Sequence, residues 1–311
     1  MQKVVIVGAT GLVGQALVRD RSAAGDALVV LARDVRAAHK RFGDAVTVLG
    51  FSLEPGETRA AWERAVRGAT VVNLAGAGVM DAAWTPARKR ELRASRVEVT
   101  HAIALAMADA SPEARGASVL VNASAVGIYG AREDDAIVAE DSPRGTDFLA
   151  TLCSDWEAAA DPARAAGIRV VHPRLGIVLG REGGALAELV RPFRLHVGGP
   201  IGNGKQWVSW VHERDVTRAL ALAVASEGMS GAYNVTAPSP VTMQALAETL
   251  AAVLHTHALA RVPAFALKAA LGSGRAGALL TGQRASSRRL VEAGHAFSFT
   301  DLKSALEDLV A

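Results

Sequence analysis

A doubly wound α/β fold on a mostly parallel sheet is what these 311 residues predict, on three observations. Apolar β-branched runs alternate with helical patterns across roughly the first 175 residues. The first run, Val4–Val7, passes through Gly8, Gly11 and Gly14 into a helical pattern with Leu12, Leu17 and Val18 on one face. A later run, Thr70–Leu74, breaks into Ala75-Gly76-Ala77-Gly78, small residues that let another molecule lie across the end of the strand.

The glycine turn carries the first functional expectation. Glycines let the backbone approach a ligand, and a helix N-terminus offers unpaired N–H groups and the positive end of its dipole. Strand, glycine turn and helix at the start of the chain therefore read as a dinucleotide phosphate site. A second strand, Ala27–Ala32, ends at Arg33-Asp34, with Arg36 close behind. In a βαβ unit this strand end lies beside the adenosine ribose, where a basic residue suits a 2′-phosphate and an acidic one a free 2′-OH. Arg33 at the strand end favours NADP(H) over NAD(H), and a one-residue slip to Asp34 would reverse that preference.

The remaining elements follow in order. Val46–Leu49 reads as a third strand and residues 57–67 as a helix. Thr85 and Pro86 open a long helical region to about Ala108, with Arg88–Glu91 and Arg96 mostly on its wet face. Val119–Ala123 is a strand leading into Ser124–Gly130. The acidic stretch 131–145 reads as a surface loop, 146–160 as a helix and Val170–His172 as a strand running into Pro173-Arg174-Leu175. Beyond this the chain becomes glycine-rich. Helices are expected at 185–194, 214–225, 241–254, 264–271 and 300–310, with short strands at 207–212 and 233–235. The expected organisation is a dinucleotide-binding domain over 1–178 with parts of 205–235, and a smaller substrate lobe from 179–204 and 236–311.

Composition narrows the function classes. Half the residues are hydrophobic and 21% charged, enough for a large core and unlike a disordered chain. A net charge of +3, with arginines scattered, argues against a nucleic-acid partner. The single cysteine, Cys153, excludes an internal disulfide and fits a reducing compartment; a buried inert thiol is expected. Apolar runs are too short to span a bilayer, and Val4–Val7 runs straight into the glycine turn, leaving no signal-peptide pattern. These point to a cytoplasmic protein with a small-molecule substrate and no membrane or metal, as a monomer or homodimer.

Gly8-Ala9-Thr10-Gly11-Leu12-Val13-Gly14, Asn73-Leu74-Ala75-Gly76, Ser124–Gly130 and Trp210–Val216 together resemble the extended short-chain dehydrogenase/reductases, the NAD-dependent epimerase/dehydratase superfamily. Trp84-Thr85, Phe148, Cys153, Trp156-Glu157, Gly198–Gly204 and Gly282–Ala285 resemble one atypical subgroup, the "epimerase family proteins", with its own C-terminal segment at about 260–311. The resemblance implies a Rossmann-type domain binding a nicotinamide cofactor through Gly8, Thr10, Gly11, Leu12, Val13, Gly14, Leu74, Ala75, Gly76, Pro173 and Leu175. It implies a nucleotide-sugar or similar substrate beneath the smaller lobe. It also implies a Ser, and a Tyr and Lys four residues apart on one helical face.

The pair is missing. Glu133 follows Tyr129 by four residues and Ala237 follows Tyr233, while Phe148 and Leu152 stand where the pair belongs. Ser124 is left to hold a substrate oxygen or to cap a turn, and Tyr129 to reach the cleft or to pack locally. Arg174, Lys205 and His212 are the substrate-side candidates, each with a structural alternative; for His212, with Asp215, that is a bond between helix and loop. The expected activity is an NADP(H)-dependent oxidoreductase or epimerase-like reaction, against a non-catalytic NADP(H) sensor.

Overall fold

Alternation within the first strand decides the architecture. Val4 and Ile6 face one side of the sheet and Val5 and Val7 the other, and both sides are buried. The computed structural model describes residues 3–116, 118–258 and 261–310. Its central sheet comprises β1 (Lys3–Val7), β2 (Ala27–Ala32), β3 (Thr47–Gly50), β4 (Thr70–Asn73), β5 (Val119–Asn122), β6 (Arg169–Leu175) and β7 (Gly231–Val235). All pair in parallel, in the order β3-β2-β1-β4-β5-β6-β7. The order reverses at β1, so the switch point where such sheets bind ligands lies at the Gly8–Gly14 turn. This is the Rossmann-type fold the sequence predicts.

Helices cover both faces. On one, α1 (Leu12–Ala23) brings Leu17 and Val18 onto Val4, Ile6 and Val30. On the same face α2 (Val35–Phe42) packs Ala38 and Phe42 into that cluster, and on the opposite face α3 (Glu57–Val66) buries Trp62 and Val66 against Val5, Val7 and Leu31. The expected single helix from 86 to 108 is α4 (Pro86–Arg93), a π-helical turn at Ala94–Glu98 and α5 (Val99–Ala108). That wide turn swings Arg96 inward, correcting its assignment to the wet face. Its guanidinium donates to Leu92 O at 3.2 Å and Ala77 O at 2.9 Å and lies over Trp156.

The C-terminal half adds α6 (Phe148–Ala158), α7 (Gly184–Arg194), α8 (Glu213–Ala225), α9 (Met243–Val253), α10 (Ala264–Leu280) and α11 (Leu302–Val310). A separate core of Leu179, Leu186, Phe193, Trp210, Leu246 and Leu306 joins α7, α9 and α11. The strand expected at 207–212 divides at Ser209. Trp207–Val208 pairs antiparallel with Val241–Thr242, and Trp210–His212 pairs parallel with Ile177–Gly180. Within the loop expected at 131–145, Ile137–Val138 pairs with Arg284–Ala285 of the C-terminal segment. The helix expected over 264–271 ends there: Gly272, at φ +77° and ψ 159°, leaves the helical region and separates it from a second helix that runs on to Leu280, the two together making up α10. Among the described residues no helix is long and apolar enough to cross a membrane, and no acidic, His and Cys side chains cluster as metal ligands.

Candidate functional site

The glycine turn is closed against its neighbours. Gly8 has φ +78°, and a Cβ there would lie 2.6 Å from the Leu74 carbonyl carbon. At Gly14 a Cβ would collide with the Gly8 carbonyl and sit 2.6 Å from Ala9 Cα. Strand end, turn and helix are thus packed backbone to backbone. Gly11 N-caps α1 without a side-chain hydrogen bond. The first-turn N–H groups of Leu12 and Val13 are therefore offered outward at the helix's positive end. Thr10 and Gly11 are exposed. Leu74 N donates to Val7 O at 2.9 Å and Ala75 N to Asn73 Oδ1 at 3.1 Å, which sets Leu74–Gly76 beside the turn. This geometry fits a dinucleotide pyrophosphate: glycines that let strand, turn and helix meet backbone to backbone, and a helix N-terminus whose entry residues are exposed.

Arg33 is exposed at the end of β2. Asp34, also exposed, N-caps α2, its Oδ1 accepting from Ala37 N at 2.9 Å.

Next to the turn opens a cleft of about 720 Å³. Leu12, Val126, Phe148, Leu149 and Leu175 line it, together with Gly274, Gly277, Ala278 and Leu279 of α10 and Gly282-Gln283. Its walls are mostly apolar, and Lys89 and Asp147 are the ionisable side chains among the described lining residues. Asp147 is already satisfied: it accepts from Leu149 N and Ala150 N as the cap of α6, and from Ala131 N at 2.7 Å. Gln283 donates to Gly130 O at 2.6 Å, and Ser209 Oγ to Gln283 O at 2.6 Å.

Several candidates named from sequence sit elsewhere. Ser124 pairs in register with Arg174, and Ala125 with Leu175. Because successive strand residues face opposite ways, Ala125 and Leu175 line the cleft while Ser124 lies behind it, 2% exposed. Its hydroxyl has no hydrogen-bond partner of normal geometry, although it helps to hold the nearby Glu157 carboxyl low. Tyr129 is buried, donating to Asn234 Oδ1 at 2.7 Å and accepting from Arg174 Nη1 at 3.0 Å. Burial pushes its phenol above the ordinary range despite the Arg174 charge. Arg174 is 4% exposed, bound to Glu157 Oε1 at 2.8 Å and Oε2 at 3.0 Å and to Glu140 O at 2.9 Å. Burial would raise Glu157, but the Arg174 hydrogen bonds and charge outweigh it and hold the carboxyl low. Tyr129 and Arg174 therefore brace the cleft wall from behind instead of lining it.

His212 is the N-cap of α8. Its Nδ1 accepts from Arg214 N at 3.1 Å, its Nε2 lies 3.3 Å from Asp308 Oδ2, and its ring stacks on Phe299. Burial holds it below its ordinary value against the pull of Asp308. This is the helix-to-loop role that the sequence left as an alternative; Asp215 likewise accepts from Ser298 N and Phe299 N. Lys205 is exposed in its glycine turn, while its neighbours Gln206 and Trp207 line the cleft. Pro173 is buried and pairs with Tyr233. Leu175 is the member of the 173–175 run that reaches the cleft.

Phe148 and Leu152, standing where the Tyr and Lys belong, occupy the first and second turns of α6. Phe148 lines the cleft, packed on Trp84 at 5.2 Å between ring centroids, and Leu152 is buried. Cys153 is buried too, its thiol pushed up to about 12 by burial despite nearby Arg96. Lys89 Nζ lies 4.8 Å from the Phe148 ring centroid, a site residue that the helical pattern alone assigns to the wet face.

A parallel sheet with a glycine cradle at its switch point defines the Rossmann class. The model of the NAD dependent epimerase/dehydratase family matches residues 4–236, and this chain belongs to that family. Residues 262–309 match a domain of unknown function, DUF1731. The chain is 38% identical over 308 residues to the epimerase family protein SDR39U1 homolog, chloroplastic, of Arabidopsis thaliana, covering 99% of this chain and 86% of that one. It is 36% identical over 303 residues to the epimerase family protein Mb2239 of Mycobacterium bovis, covering 97% and 96%. Among solved structures, the human epimerase family protein SDR39U1 (isoform 2) with NADPH superposes at a TM-score of 0.84, at 31% identity over 99% of both chains.

Proposed function

We propose that this chain binds NADP(H) in the Gly8–Gly14 cradle and acts as an oxidoreductase or epimerase-like enzyme on a small molecule held in the adjoining cleft. The observation that carries this reading is continuity: Leu12, at the start of α1, also lines the 720 Å³ cleft. Gly8, Thr10, Gly11, Leu12, Val13 and Gly14 would hold the pyrophosphate, and Leu74, Ala75, Gly76 and Leu175 would flank the path toward the cleft. When bound, the nicotinamide supplies or accepts a hydride. Pro173 shapes the strand beneath. Arg33 would pair with the 2′-phosphate, while Asp34 spends one carboxylate oxygen on the cap of α2. The human relative's complex with NADPH supports the same choice.

The cleft itself would exclude water and orient substrate. With Phe148 and Leu152 where the Tyr and Lys belong, a proton at a reacting oxygen would come from water or from Lys89 on the cleft lining, a step that well-positioned donors typically speed by roughly 10²–10⁴-fold. That same absence supports a second reading, a binding protein that responds to NADP(H) without turnover.

Titration of the protein with NADPH and NADH, followed by nicotinamide fluorescence, tests the cofactor assignment. NADPH is expected to bind more tightly and Arg33→Glu to abolish the preference; tighter binding of NADH would overturn it. Turnover of a panel of small carbonyl compounds under NADPH separates enzyme from sensor.

A further inference from the structure

The polar inventory of the cleft says what kind of substrate it takes, an inference that rests on the cofactor reading above. Sugar hydroxyls need unpaired donors and acceptors on the walls. Here the lining Asp147 and Gln283 amide are already bound within the protein, and Ser209 Oγ donates to Gln283 O and accepts from Ala285 N. The Trp207 indole N–H is held by Asp135 at 2.9 Å, and that of Trp84 by Val79 O at 2.8 Å. Gln206 Nε2 donates to Ile201 O and Leu279 O, leaving its Oε1 without a partner. Apart from that one acceptor, the side-chain surface left over is mostly apolar, with two aromatic rings, Trp84 and Phe148, meeting edge to face.

Lys89 is the unpaired charge on this lining. It stands in the first turns of α4, beside the Phe148 ring, and pairs with no carboxylate among the described residues. The other carboxylates near α4 are taken: Asp81 and Glu91 by Arg88, and Asp155 by Arg93. The helix's positive end adds to the Lys89 charge instead of cancelling it. An anion at this point gains both, with an apolar body seated against the rings.

We propose that the cleft takes a small, flat apolar molecule carrying one carboxylate, and that Lys89 selects for the carboxylate while Trp84 and Phe148 seat the body. The test compares 2-naphthoate, its neutral amide 2-naphthamide and UDP-glucose by calorimetry on the full chain, with and without saturating NADPH. Naphthoate should bind roughly fivefold tighter than the amide, the upper range for a partly exposed ion pair. Lys89→Gln should bring that ratio to about one and Lys89→Arg should restore it. UDP-glucose should bind more weakly than either. Equal affinities in the wild type, a ratio unchanged in Lys89→Gln, or tightest binding of UDP-glucose would each overturn the proposal. NADPH titration of the same samples keeps the two readings apart. A naphthoate preference without NADPH binding refutes the cofactor reading alone, and NADPH binding without the preference refutes this one.

Discussion

Replacing Arg174 with methionine tests whether this residue braces the cleft or binds a ligand. Its guanidinium and the Glu157 carboxylate are 4% and 6% exposed, and the two meet at 2.8 and 3.0 Å. Methionine fills much of the same space but leaves Glu157 as a buried charge whose remaining cation is the half-exposed Arg144, at 3.3 Å. Removing one member of a buried pair costs roughly 3–5 kcal/mol, and the Arg144 contact places this case near the lower end, about 3 kcal/mol. The sign with pH follows from Glu157. Its carboxyl is held low in the folded protein, so its contribution is present above the unfolded pKa and is lost as pH falls through the folded one. In Arg174→Met burial is opposed mainly by the half-exposed Arg144, the carboxyl rises, and the deficit against wild type should shrink as acid discharges the orphan. Urea unfolding followed by circular dichroism at pH 7 and pH 5 reads both effects. Adding Glu157→Gln to Arg174→Met should recover more than half of the loss. An Arg174→Met protein with wild-type stability but impaired substrate binding would refute the bracing role.

Two further outcomes follow from the same structure. Gly14→Ala forces a Cβ into the Gly8 carbonyl and Ala9, backbone atoms that cannot step aside. Overpacking of this kind costs about 1–3 kcal/mol, so thermal unfolding and NADPH titration should both show the loss; an unchanged protein would mean the turn is looser than drawn. His172, buried with Nε2 against Arg164 Nη2 at 3.1 Å and Nδ1 against Asn122 O at 3.3 Å, is lowered by burial to about 4 from 6.5. The unfolded chain therefore takes its proton first, and stability should fall by about 2 kcal/mol between pH 7 and pH 5, a slope that His172→Gln should flatten.

The strands, their order of appearance and the cradle were legible because they rest on local pattern: alternation in Val4–Val7, glycine spacing, and small residues after Asn73. What was hidden is what depends on distant partners or on a single register step. Ser124 and Ala125 differ by one residue, and the sheet turns the alanine toward the cleft; composition gives no hint of which of the two faces in. Tyr129 and Arg174 look like cleft residues in sequence because one closes the turn after a strand and the other lies at a strand end. Their partners are 105 and 17 residues away, Asn234 and Glu157, and only folding shows them engaged. Arg96 was misread because a regular helix would point it outward, and the π turn at Ala94–Glu98 shifts the face. Lys89 shares the basic helix with Arg88 and Arg90, and nothing local marks it as the one beside an aromatic ring.

These displacements share one consequence. The polar groups expected to serve acid/base chemistry are either absent, as at Phe148 and Leu152, or drawn back into the wall, as at Ser124, Tyr129 and Arg174, which leaves Lys89 and the helix-capping Asp147 as the ionisable side chains among the described lining residues. The cradle has no such losses: Gly8, Gly11 and Gly14 are all in place. A chain that keeps an exacting binding geometry while its proton-handling positions are apolar is suited to substrates whose reduction or isomerisation needs little help at oxygen, or to none at all. The distinction is measurable in one solvent isotope experiment. If water delivers the proton in the slow step, turnover with NADPH should slow in D₂O, and Phe148→Tyr, which returns a phenol to the cleft, should raise the rate. A rate that Phe148→Tyr leaves unchanged would mean that chemistry at this site never depended on a proton donor there.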